Sequence, residues 1–256
     1  MENLIPKKGF EKKLKEKTVS IIIPVCNESG NIQTLFDRIP KVGADPEIIW
    51  VEGHSTDESE GVIKKEIKKH PEWKCQFYKQ PRQGKGDAVF YGLAKAAGDI
   101  CIILDADLSV DPEIITDFYE AIIAGKGDMI IGVRLAYPIE NRPSSYIKLI
   151  GNKVFGWIFS FLLGQKIRDT LCGTKAFMRD NYPRIKDFLD HKSIRDPYGD
   201  FYLLFAAGKL SLKIYEIPLK YHKRSYGKSK TRIISDGVKL IGIIFSEIKD
   251  RIFSKS

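Results

Sequence analysis

Three features of the sequence predict an α/β protein with a doubly wound, mostly parallel sheet flanked by helices. Short apolar runs alternate with amphipathic stretches over about the first 135 residues. The runs are continuous in apolar character, as expected of strands buried on both faces of a parallel sheet. Polar clusters follow directly after the runs, where such a sheet opens its ligand crevice.

The elements follow in order. Residues 19–24 form the first strand. Ser29 can cap a helix whose Ile32, Leu35, Phe36 and Ile39 fall at i, i+3, i+4 and i+7. Residues 47–52 form the second strand, and Ser55-Thr56-Asp57 reads as a helix start. The third strand covers 74–79, and Gly84 to Gly86 leads into a helix with Val89, Leu93 and Ala96 on one face. The fourth strand, 100–104, is entered from Gly98-Asp99. Asp111-Pro112 opens another helix, with proline at its favoured first position. Residues 128–133 complete five strands.

The pattern changes after Arg134. Residues 145–163 read as a long apolar helix carrying Lys148, Lys153, Trp157 and Phe161. Strands are expected at 174–178 and 212–217, and residues 233–253 form a second long amphipathic helix, with Lys249, Arg251 and Lys255 at its end. Helices of this mixed apolar and basic character either lie on a membrane surface or cover the sheet and extend the core.

The chain of 256 residues is 43% hydrophobic and 29% charged, ordinary values for a globular protein with a sizeable core. Residues 1–17 hold six lysines and no apolar segment, so they read as a basic flexible arm. The longest stretch without a charge, 154–165, has twelve residues, against roughly 20 for a spanning helix. No transmembrane segment is expected, and any membrane attachment is peripheral or through partners. Cys26, Cys75, Cys101 and Cys172 are scattered, as are the four histidines, which argues for reduced cytosolic thiols and against a zinc site. The net charge of +9 points to anionic partners. The lysines are dispersed and no nucleic-acid motif is present, so nucleic acid is not expected among them.

Asp105-Ala106-Asp107-Leu108-Ser109 is the most informative segment. Two carboxylates at the end of a buried strand can hold Mg²⁺ or Mn²⁺, which in turn holds phosphate oxygens. Common nucleotide motifs are excluded. Gly84-Lys85-Gly86 fails as a dinucleotide fingerprint because Val89 stands at the third glycine position. Gly227-Lys228-Ser229 fails as a P-loop because His222 stands at the first. Nucleophile-elbow and zincin signatures are missing.

Seven segments together resemble the family 2 glycosyltransferases, which have the GT-A fold. They are IIIPVCNES, IIWVEGHSTD, RQGKGDA, ILDADLS, IIGVR, DTLCGTKAF (169–177) and YHKRSYGKSK (221–230), in the family's order and spacing. The last two look most like the polyprenyl-phosphate (dolichyl-phosphate) branch. The resemblance implies a catalytic domain over residues 18–231; the residue pattern adds a C-terminal amphipathic helix over 232–256.

The resemblance also implies roles. Pro24, Cys26 and Glu28 would line the nucleotide, with Cys26 in place of the usual Tyr. Glu52, in place of the usual Asp, would contact the base, and Lys85 and Ala106 would belong to the donor site. Asp105 and Asp107 would hold metal and diphosphate; Ser109 stands where relatives often carry a metal-contacting Gln. Arg134 would bind phosphate, Lys148 and Asn152 would face the acceptor phosphate, and Arg224 and Lys230 would lie near the donor diphosphate. The implied reaction is inverting transfer from a GDP- or UDP-sugar to a polyprenyl phosphate on the cytosolic face of a membrane. A phosphate acceptor needs no general base, being already ionised at neutral pH. Were the acceptor a hydroxyl of a glycan or glycolipid, Asp200 would be the candidate base, although it also reads as a helix N-cap. A nucleotide-sugar-binding module without catalysis is the third reading.

Overall fold

The computed structural model describes residues 17–134, 146–192, 194, 196–227 and 233–253. Seven strands form one sheet in the order β3-β2-β1-β4-β6-β5-β7. They are β1 (Thr18–Val25), β2 (Ala44–Glu52), β3 (Lys74–Lys79), β4 (Ile100–Ile103), β5 (Met129–Val133), β6 (Lys175–Met178) and β7 (Ile214–Pro218). Helices α1 (Ser29–Arg38), α2 (Ser59–Lys69), α3 (Lys85–Lys95), α4 (Ile115–Ile123), α5 (Tyr146–Leu163), α6 (Tyr182–Asp190), α7 (Asp200–Lys209) and α8 (Ile233–Phe253) surround it. The doubly wound GT-A-like architecture expected from the sequence is present. The sequence reading did not assign α6, and α2 starts at Ser59, two residues after the expected cap cluster.

Successive residues of a strand point to opposite faces, and here both faces are dry. Ile21, Ile23, Ile48, Trp50, Ile100 and Ile102 pack under α1, α2 and α4. The alternate residues Ile22, Ile49, Val51, Cys101 and Ile103 pack under α3 and the C-terminal helices. This two-sided burial explains the continuous apolar runs. Fully burying each such side chain contributes about 1.5–3 kcal/mol.

Among the described strands, only β6 runs antiparallel to its neighbours. It lies between β4 and β5, with Ile103 opposite Lys175. Because it runs backwards, its start lies at the edge where the parallel strands end. That reversal carries residues 169–175 to the carboxylate pair. The strand order also places the switch point at β1, flanked by β2 on one side and β4 on the other, and ligands of open α/β sheets bind at such a point.

The long helices have two faces. On α5, Phe159 is buried with Phe201 and Phe205 of α7. On α8, Leu240, Ile243 and Ile244 join the same core. Their outer faces are apolar as well. Ile150, Val154, Trp157 and Phe161 recur along α5 at i, i+4, i+7 and i+11, with Trp157 72% and Phe161 80% exposed. Val238, Ile241 and Phe245 form a similar stripe on α8. The helices therefore extend the core on one face and leave apolar side chains in the open on the other. Among the described residues no helix is long and apolar enough to cross a membrane.

α3 sits close to the sheet because Gly92 faces β1. A Cβ there would stand 2.5 Å from Ile22 Cγ2 and 3.0 Å from Val51 Cγ2. Gly92→Val should therefore overpack the core and destabilise the fold by about 1–3 kcal/mol, read as a lower midpoint in urea unfolding. An unchanged midpoint would show that α3 is free to lift off the sheet.

Candidate active site

β4 delivers the carboxylate pair. Its ladder to β1 continues one residue past the strand, Leu104 N–H donating to the Ile22 carbonyl at 3.0 Å. The chain then turns sharply, with Leu108 at φ +53°. Ser109 N–H closes the turn by donating to Asp107 Oδ1 at 2.9 Å. Ala106, Asp107 and Ser109 are buried, while the Asp105 side chain keeps 27% of its surface.

Each carboxylate meets a cation from a distant segment. Lys85, at the start of α3, places Nζ 2.5 Å from Asp105 Oδ1. Arg224 places Nη2 2.5 Å from Asp107 Oδ2 and Nη1 3.1 Å from Glu28 Oε1. Burial works against the charge on Asp105, but Lys85, with Lys175 and Arg134 farther off, holds its carboxyl below the usual range. Burial likewise opposes the Lys85 ammonium, and Asp105 and Asp200 more than reverse it, so its pKa is raised. Both groups are charged at neutral pH. Gly173, just before β6, lies against this pair; a Cβ there would run into Asp105 Oδ2 and Lys85 Nζ.

The loops after β1 and β2 are stitched together. Asn27 Oδ1 accepts Thr56 N–H at 2.7 Å and Asp57 N–H at 3.3 Å, and Asn27 N–H donates to Ser55 Oγ at 2.9 Å. Glu52 is buried, and its Oε1 accepts Ser55 N–H at 2.5 Å, so this carboxylate braces its own turn. Pro24 and Cys26 are half-buried at the end of β1. Glu28 is buried and also accepts Asn31 Nδ2 at 2.8 Å.

A second ion pair lies at the end of β5. Arg134 Nε and Nη2 each donate at 2.8 Å to Asp169, whose side chain is fully buried. Asn152 of α5 donates to the same carboxylate at 2.9 Å and accepts Thr170 N–H at 3.2 Å. Asn152 thus reaches Arg134 through Asp169, a supporting position behind the guanidinium. Burial raises and Arg134 lowers the Asp169 pKa, and Arg134 wins, bringing it to about 2.

Asp200 is the first residue of α7, with Gly199 at the N-cap. The capping is done by Asp196, which accepts Tyr198 N–H and Tyr202 N–H, each at 3.0 Å. The N-cap reading of Asp200 is thereby corrected; its carboxylate instead pairs with the Lys175 ammonium in a buried contact. Lys175, which also donates to the Cys172 carbonyl, was given no role from sequence. A lone lysine inside the otherwise apolar strand KAFM was the signal for it. The side chain of Lys148 and all of Lys230 lie outside the described residues, as do residues 1–16.

The donor set suits a hard divalent ion. Two carboxylates share one turn, and the buried Ser109 Oγ in that turn has no hydrogen-bond partner. No cluster of three His, Cys, Asp or Glu ligands occurs among the described residues. Such an ion would therefore complete its shell with ligand oxygens or water, the usual habit of Mg²⁺ at phosphate sites.

Residues 20–185 match the glycosyl transferase family 2 model. The chain belongs to that family. Its relatives include the dolichol-phosphate mannosyltransferase of Pyrococcus furiosus, 30% identical over 84% of this chain and 59% of the relative. The undecaprenyl-phosphate 4-deoxy-4-formamido-L-arabinose transferase of Pectobacterium atrosepticum is 26% identical over 90% of this chain and 66% of the relative. The chain thus spans about three-fifths to two-thirds of the length of these relatives. Among solved structures, glucosyl-3-phosphoglycerate synthase of Mycobacterium tuberculosis, in complex with UDP, superposes with a TM-score of 0.70 at 18% identity, covering 96% of this chain and 86% of that one. This last likeness is one of fold.

Asp169→Ala should destabilise the protein, by about 1–3 kcal/mol, because it removes the buried acceptor of the half-buried Arg134 guanidinium and of Asn152. The acid dependence has a definite sign. The Asp169 pKa is lower folded than unfolded, so its contribution is complete above about pH 4 and is lost as pH falls toward 2. Denaturation midpoints of wild type and Asp169→Asn should converge over that window; a constant gap would refute the assignment.

Proposed function

We propose that this chain is an inverting glycosyltransferase that moves a sugar from a nucleoside-diphosphate sugar to a polyprenyl phosphate at a membrane surface. The observation that carries the reading is the convergence of Asp105, Asp107, Lys85 and Arg224 at the topological switch point. A diphosphate leaving group needs such a mixture of hard oxygen ligands and cations.

Asp105 and Asp107, with Ser109 beside them, would hold Mg²⁺ or Mn²⁺. The ion would supply charge stabilisation of the departing nucleoside diphosphate. Lys85 and Arg224 add fixed positive charge on the same side, and Lys230 is a further candidate. Pro24, Cys26, Glu28 and Glu52 line the first two strand ends, where the nucleoside would sit. The solved fold relative is recorded with Mn²⁺, UDP-glucose and phosphoglyceric acid, which supports a divalent ion and a nucleotide-sugar donor here.

The acceptor reading rests on the helices and on Arg134. Trp157, Phe161 and Phe245 are large apolar side chains left in the open, beside the exposed Lys153 and Lys239. Faces of this composition suit the boundary between headgroups and acyl chains. On this reading the reaction takes place on the cytosolic face, where nucleotide sugars are expected. Arg134, fixed by Asp169 and Asn152, offers a pre-oriented guanidinium to a phosphate, with Lys148 as a second candidate cation. A phosphate monoester with a second pKa near about 6 attacks without a general base. The hydroxyl-acceptor alternative requires Asp200 as base, and that carboxylate is engaged by Lys175.

Transfer from UDP- and GDP-sugars to polyprenyl phosphate in anionic vesicles, followed by release of nucleoside diphosphate, tests the reading. Asp107→Ala and chelation should each remove most turnover, on the order of 10²-fold or more. Asp200→Asn should keep the turnover it would lose if Asp200 were the base. Loss of turnover in Asp200→Asn with donor binding intact would favour a hydroxyl acceptor. Trp157→Ser with Phe161→Ser should raise the apparent KM for vesicle-borne acceptor and leave donor affinity unchanged. Equal vesicle binding by that double variant would remove the membrane face from the account.

A further inference from the structure

The carboxylate of Asp107 is already occupied by a cation of the chain's own. Arg224 reaches it through Nη2 at 2.5 Å while Nη1 donates to Glu28 at 3.1 Å. The segment around Arg224 is fastened at several points. His222 N–H donates to the Ser109 carbonyl at 2.8 Å. Ser225 Oγ donates to Asn31 Oδ1 at 3.1 Å, and Tyr226 Oη lies 3.0 Å from Ser29 Oγ. Residues 221–227 thus form a strap from the carboxylate turn to the head of α1.

We infer that Arg224 is a built-in counter-ion that makes divalent-metal binding depend on the sugar donor. The inference rests on Asp105 and Asp107 being the metal and diphosphate site. A dication arriving alone must take Asp107 from Arg224 and then share the cleft with its displaced charge, since the strap keeps the guanidinium nearby. A nucleoside diphosphate relieves this conflict. It offers Arg224 a new anionic partner and offers the ion additional oxygen ligands. Metal and diphosphate therefore bind with positive coupling, and linkage makes that coupling equal whichever binds first. The protein would avoid holding a metal in an empty cleft.

Diphosphate oxygens strengthen metal binding in any such site, so the discriminating quantity is the effect of removing Arg224. Calorimetric titration of Mn²⁺ into the full chain, with and without saturating UDP or GDP, measures it. In Arg224→Gln, Mn²⁺ alone should bind about 5- to 30-fold more tightly than in wild type, and the boost from the nucleotide should shrink. Arg224→Lys, which keeps the charge, should stay near wild type. Unchanged or weaker binding of Mn²⁺ alone to Arg224→Gln overturns the inference while leaving the metal site standing. If no protein takes up Mn²⁺ even with UDP and GDP, the metal-site reading falls with it. Hydrogen exchange on wild type gives a second measurement that needs no substitution. Saturating Mn²⁺ alone should speed exchange of the 221–227 amides severalfold, and added UDP or GDP should slow it again; no change with Mn²⁺ alone overturns the inference.

Discussion

Asp105 and Asp107 bring two negative charges into a single turn at the rim of an apolar sheet, and much of the cleft follows from balancing them. Neither is exposed enough for water alone to do so. Lys85 comes from the head of α3 and Arg224 from the segment after β7, far apart in sequence. Glu28 sits on the other side of Arg224, and Asp200 with Lys175 adds a further buried pair beside Lys85. Opposite charges at such separations interact by a few kcal/mol at the effective dielectric of a protein rim, so the cluster is held together while burial opposes it. The result is a preorganised polar site in which a ligand replaces existing ionic partners instead of bulk water.

The sheet makes this convergence possible. Six parallel strands bring their loops to one edge, and the antiparallel β6 adds a strand start to the same edge. The chain before β6 can therefore run alongside the carboxylates, with Gly173 small enough to touch the Lys85–Asp105 pair. On the other flank, Asp169 and Asn152 reach Arg134 at the end of β5. One reversed strand thus connects the carboxylate pair to the Arg134–Asp169 flank of the cleft.

The long helices have a divided allegiance. α5 and α8 each use one face to close the core, through Phe159 and Ile243 among others. Each keeps a second apolar stripe in the open, which an isolated water-soluble domain has no reason to maintain. Asn152 and Phe161 lie on the same helix, one inside the Asp169 cluster and one fully outward. The helix thereby joins the polar cleft to the apolar exterior.

The sequence alone determined the strand–helix alternation, the two-sided burial of the sheet and the position of the carboxylate pair. Those are local properties: apolar continuity marks a doubly covered strand, and polar residues after it mark the crevice. It also exposed Arg134 and Arg224 as candidates through the segments that carry them. Only the tertiary structure decided which charges meet. Strand direction cannot be read from the four residues of β6, so the pairing of Lys175 with Asp200 stayed hidden. Asp200 looked like a cap, because the carboxylate that caps α7 lies four residues earlier at Asp196. The outward stripes of α5 and α8 were equally undecided, since apolar residues around a helix do not say which face the rest of the chain will cover.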